Sequence, residues 1–126
     1  MLTEISTTDA PGAVGPFSQA IRVGNLLFVS GQLPIDPSTG EFKSDDPVVQ
    51  AEQCLRNIEA IAKAAGTDLA ATVKTTVLLT DIGQFADVNR VYSTFFRKPY
   101  PARACYEVAA LPKGAKVEIE AVLALP

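Results

Sequence analysis

The stretch KVEIEAVLAL, from Lys116 to Leu125, sets the strictest limit on what this chain can fold into. As a β-strand it alternates, so Val117, Ile119, Ala121 and Leu123 share one face, and Glu118, Glu120, Val122 and Ala124 share the other. The first face is wholly apolar and must be covered; the second is half charged and half apolar. LLFVS (26–30) and TTVLL (75–79) also carry apolar residues on both faces. A sheet face with apolar residues that the chain's own helices leave open is usually buried against another subunit, so the pattern predicts a homo-oligomer.

Two helical stripes are available to cover the apolar face. Asp46 can cap and Pro47 fits the first helical position; Ala51, Cys54, Leu55, Ile58, Ile61, Ala62 and Ala65 then recur on one side until Gly66 supplies a stop. Asp81, with Gln84 three residues on, reads as a capping box before a second stripe of Phe85, Val88, Tyr92, Phe95 and Phe96. Strands flank these helices. QAIRV and LLFVS form a hairpin across Gly24-Asn25, and the β-branched run from Ala71 to Thr80 is a third strand. Pro99 and Pro101 stop the second helix and feed the chain into ARACYEV, which ALPKG turns into the final strand. LTEIS adds a possible N-terminal strand, and the Pro-, Gly-, Ser- and Asp-rich segment 34–47 reads as a surface loop. The expectation is a single α+β domain over residues 1–126: a two-layer fold, with two helices on one face of a five- or six-stranded mixed sheet.

Composition narrows the chemistry. There is no histidine, which removes Ser-His-Asp and Cys-His systems and leaves Glu, Asp, Lys, Tyr, Cys or water to move protons. Cys54 and Cys105 are the only cysteines and have no CxxC or metal-ligand spacing, so neither disulfide, metal site nor cofactor is expected. A net charge of −3 without a Lys/Arg cluster argues against a nucleic-acid surface. No segment approaches the roughly 20 apolar residues of a membrane span, and the start lacks the marks of a signal peptide, so the cytoplasm is the expected location.

Five segments in order then resemble one family: DAPGAVGPFSQA, FVSGQLPIDPSTGE, VKTTVLLTD, FADVNRVYSTFF and PARACYEVAALPKGAKVEIEAV. They are similar to the RidA/YjgF-type reactive-intermediate deaminases, also labelled endoribonuclease L-PSP. The resemblance implies a chorismate-mutase-like fold, a homotrimer with sites between subunits, and hydrolysis of 2-imino acids, such as 2-iminobutanoate and 2-iminopropanoate, to 2-oxo acids and ammonia. It implies that Arg103 holds the substrate carboxylate and that Glu118, on a neighbouring strand, positions water and handles protons. A guanidinium offers a carboxylate the paired hydrogen bonds that a lysine lacks. Gly31 and Cys105 would bind the imine end through backbone groups, with Ser30 and Asn89 lining the cleft. Phe17 stands where the family usually has tyrosine, so it supplies a wall without a hydroxyl.

Each residue also has a plainer reading. Arg103 alone would be a surface pair with Glu107 or Glu118, Cys54 a core residue, Cys105 a packing residue and Glu120 a rim charge. Ser30 would end a strand, and Asn89 would be a satisfied interior polar group. At the level of function, the deaminase competes with a non-catalytic trimer that binds small carboxylates or regulates, and with an endoribonuclease or translation inhibitor, which the acidic composition disfavours.

Overall fold

The computed structural model describes residues 1–126. Six strands build one sheet: β1 (Thr3–Ile5), β2 (Ala20–Val23), β3 (Leu26–Gln32), then, after the short hairpin β4 (Ile35–Asp36) and β5 (Glu41–Phe42), β6 (Thr72–Leu79), β7 (Ala102–Glu107) and β8 (Val117–Ala124). Their order across the sheet is β1-β2-β3-β8-β6-β7. All neighbours are antiparallel except β6 and β7, which run parallel because helix α2 (Phe85–Tyr92) lies in the crossover between them. The other helix, α1 (Pro47–Ala64), packs across β8 and β3 on the same face. This is the two-layer α+β arrangement expected, with six strands.

The core lies between the helices and one face of the sheet. Leu55, Ile58 and Ile61 of α1 are fully buried, as are Leu27 of β3 and Val117, Ile119 and Leu123 of β8. Burying a side chain of this size contributes roughly 1.5–3 kcal/mol. The opposite face has no helix over it. Phe28 remains 45% exposed and Tyr106 57% exposed there, as the two-sided apolar pattern of the strands anticipated. No helix is long and apolar enough to cross a membrane.

Three local expectations need correction. The Asp81–Gln84 pair forms no capping box: the Asp81 carboxylate accepts from the Gly83 N–H and closes a 3₁₀ turn over Ile82–Gln84, and α2 begins only at Phe85. The helix also ends at Tyr92, so Phe95 and Phe96 belong to the segment that follows. The surface loop 34–47 contains the β4–β5 hairpin, which Asn57 of α1 anchors by donating to the carbonyls of Leu33 and Ile35 at 3.2 and 2.9 Å.

Candidate functional site

The register of the sheet decides where each candidate side chain goes. Along one cross-strand row, Ala121 of β8 pairs with Thr75 of β6, which pairs with Arg103 of β7; along the next, Ile119 pairs with Val77 and Val77 with Cys105. Ala121, Thr75, Val77 and Ile119 are all buried under the helices, so Arg103, Cys105 and Glu107 stand on the helix-covered side, at the edge of the sheet. The intervening row runs from Glu118 through Leu78 to Tyr106 and faces the open side. Arg103 and Glu118 therefore belong to opposite faces of one sheet. Glu118 is also not on a strand next to Arg103, as the resemblance implied, because β6 lies between β8 and β7.

On the open side, Glu118 meets Gly31. The ladder between β3 and β8 shifts register between Val29 and Gln32, and in that irregular stretch Gly31 comes so close to β8 that the Glu118 carboxylate fills the space a Cβ would take. Ser30 beside it donates its hydroxyl to the Ser18 carbonyl at 2.6 Å, and its N–H bonds the Gln19 carbonyl at 2.9 Å. These bonds dock the segment that carries Phe17, whose ring is 52% exposed. Partial burial, with a further push from the Glu120 carboxylate, holds the Glu118 pKa above the ordinary glutamate value. Ser30, Gly31 and Glu118 thus stand together as one candidate half-site, beside the segment that carries Phe17, and Glu120 is an exposed neighbour on the same face.

The other half-site lies at the β7 edge. Arg103 Nη1 donates to Asn89 Oδ1 at 2.7 Å. The guanidinium carbon lies 4.8 Å from the centre of the Tyr92 ring and 5.3 Å from that of Phe85. With Ser93, Tyr100 and Pro101, the residues Arg103, Asn89 and Tyr92 line an open cleft of about 450 Å³. Arg103 forms no ion pair with Glu107 or Glu118; Glu107 instead accepts from the Ile82 N–H at 3.0 Å. The Cys105 thiol packs against the core, and burial raises its pKa although Arg103 opposes the rise, so it is poorly suited to act as a thiolate. Cys54 is wholly buried and burial holds it protonated, as its place on the helical stripe predicted. No three His, Cys, Asp or Glu side chains gather to hold a metal.

Of the seven residues to which the sequence points, Ser30, Gly31 and Glu118 lie on the open face, Phe17 lies in the segment docked against Ser30, and Asn89, Arg103 and Cys105 lie on the helix-covered side. Sequence reasoning missed the contacts of Phe85 and Tyr92 with Arg103, having read both rings as core. The signal was present in their spacing, since Phe85, Asn89 and Tyr92 stand at i, i+4 and i+7 on α2.

Residues 7–125 match the family model described as Endoribonuclease L-PSP. The chain belongs to the RidA/YjgF family. It is 77% identical over 125 residues to a RutC family protein of Sinorhizobium fredii, covering 99% of both chains. It is 52% identical over 118 residues to the human 2-iminobutanoate/2-iminopropanoate deaminase, covering 94% of this chain and 86% of that one. Among solved structures, RidA from the Antarctic bacterium Psychrobacter sp. superposes with a TM-score of 0.94 at 50% identity, covering 98% and 99% of the two chains. The RidA/YjgF match spans both half-sites, because residues 7–125 include every one of the seven candidates.

Proposed function

We propose that this protein hydrolyses reactive 2-imino acids to 2-oxo acids and ammonia, at sites that two copies of the chain build together in a homotrimer. The observation that carries this reading is the division of the candidates: one half-site offers a guanidinium, the other a carboxylate with a raised pKa, and a single sheet separates them. A second copy whose open face met the β7 edge of the first would bring the halves together and bury the exposed apolar residues of that face.

In such a site Arg103 holds the substrate carboxylate through the donors that Asn89 leaves free. Glu118 accepts a proton from water as its oxygen bonds to the imine carbon, giving a tetrahedral carbinolamine. Glu118 returns that proton to the nitrogen, then takes the proton of the new hydroxyl and passes it to the nitrogen as the C–N bond breaks and the C=O bond forms, so that imine and water become ketone and ammonia with no change in oxidation state. One carboxyl can serve as base and then as acid because its raised pKa brings it nearer the working pH. The human relative that bears the deaminase name supports this substrate class.

Phe17 favours a second reading, a trimer that binds small carboxylates without turnover, because its ring contributes no hydroxyl to the site. Timing 2-oxobutanoate release, with a fixed amount of threonine dehydratase as the source of the imine, separates the two. The deaminase accelerates release above the spontaneous rate. Release at the spontaneous rate at all protein concentrations would overturn the catalytic reading in favour of the binding one.

A further inference from the structure

We propose that Phe85 and Tyr92, acting with Asn89, are positioning residues that fix the orientation of Arg103, so that α2 serves as a cradle for the substrate-binding guanidinium. The role of that guanidinium rests on the function proposed above; the cradle itself rests on geometry.

Residues at i, i+4 and i+7 fall on one stripe of a helix, and here that stripe presents ring, amide and ring to a single arginine. An arginine at the exposed edge of a sheet has many rotamers, and binding a ligand would have to select one of them. Three contacts act against this freedom. Asn89 takes one Nη1 hydrogen and sets the direction of the group, while the electron-rich faces of the two rings attract its charge. The remaining N–H donors are left to meet a carboxylate in a fixed fork.

The cradle is tied to the strand beside it. The Tyr92 hydroxyl shares a hydrogen bond of 2.7 Å with the Thr75 hydroxyl, both residues being buried, and Thr75 is the partner of Arg103 in the β6–β7 ladder. Helix and arginine are thereby located from the same point of the sheet. Tyr92 is anchored in the core, whereas Phe85 lies at the surface, 36% exposed and outside the buried core cluster. Phe85 can therefore be changed with little effect on folding.

The test uses the ¹⁵N–¹H signal of Arg103 Nε in the full-length protein, assigned by its loss in Arg103→Lys, together with titration of 2-oxobutanoate. In Phe85→Leu the signal is expected to shift and broaden, and the Kd for 2-oxobutanoate to rise about two- to fivefold, the range of an exposed cation–π contact. Phe85→Tyr keeps a ring and is expected to restore both values. Asn89→Ala, which removes the hydrogen bond, should move the same signal. A Phe85→Leu protein whose Arg103 signal and Kd both match wild type would overturn the cradle. If wild type binds no 2-oxobutanoate while Phe85→Leu still broadens the signal and Phe85→Tyr sharpens it again, the cradle stands and the substrate reading fails.

Discussion

Gly31 is where one added methyl group tests the placement of Glu118. A Cβ there would meet the Glu118 carboxylate, which can swing aside because it is the free end of a side chain, so Gly31→Ala should fold and yet displace the group that handles water. Displacement of about 1 Å at a reacting group lowers rates on the order of a hundredfold, and we expect that loss in 2-oxobutanoate release with an unchanged circular dichroism spectrum. Wild-type activity in Gly31→Ala would remove Glu118 from the mechanism. A second expectation concerns pH. Burial and Glu120 raise the pKa of Glu118 in the folded chain, so the folded state keeps this proton longer than the unfolded state does. Between the ordinary glutamate pKa and the raised one, stability falls as pH increases; above both, the full penalty remains. Glu118→Gln lacks that dependence. Its melting temperature relative to wild type should therefore rise as pH is taken upward through this window, and a constant difference would contradict the burial described.

Helix α1 is the element most fully written in the sequence. Asp46 accepts from the Val48 N–H at 2.9 Å, Pro47 opens the helix, and the stripe from Ala51 to Ala62 is buried as its spacing predicts. Asp46→Ala should cost about 1 kcal/mol, read as a lower urea midpoint at fixed protein concentration. A midpoint equal to that of wild type would show the cap to be idle. Periodicity could not reveal the polar residues buried on this helix. Gln50 ties the Ser44 carbonyl to the Lys116 N–H, and Asn57 holds the β4–β5 hairpin; the bonds to Lys116, Leu33 and Ile35 join segments far apart in sequence, which spacing along one helix does not encode. The same limit explains α2. Its apolar stripe was legible, but Asp81 and Gln84 fit a capping box and a 3₁₀ turn equally well as letters, and the backbone geometry chose the turn. Alternation likewise placed Arg103, Cys105 and Glu107 on one face of their strand and Glu118 on one face of another. Which of those faces coincide depends on pairing between strands, which alternation within one strand does not contain.

At the scale of the whole molecule, that pairing becomes an argument about copies. Arg103 and Glu118 cannot meet across their own sheet, since Thr75 and Ala121 fill the helix-covered row that ends at Arg103, while Glu118 stands in a row on the other side. If the proposed chemistry needs both groups, each site must take Arg103 from one chain and Glu118 from another. Two variants then complement each other. Arg103→Ala chains and Glu118→Ala chains should each be inactive alone, because every site in either assembly lacks one group. When the two are unfolded together in equal amounts and refolded, random assembly of a ring with one site per interface leaves about a quarter of the sites with both groups. Release of 2-oxobutanoate should recover to about that fraction of wild type, whereas the same proteins refolded separately and then mixed should stay inactive until chains exchange. A site contained within one chain predicts no recovery at any mixing ratio, because every chain in the mixture carries one of the two lesions.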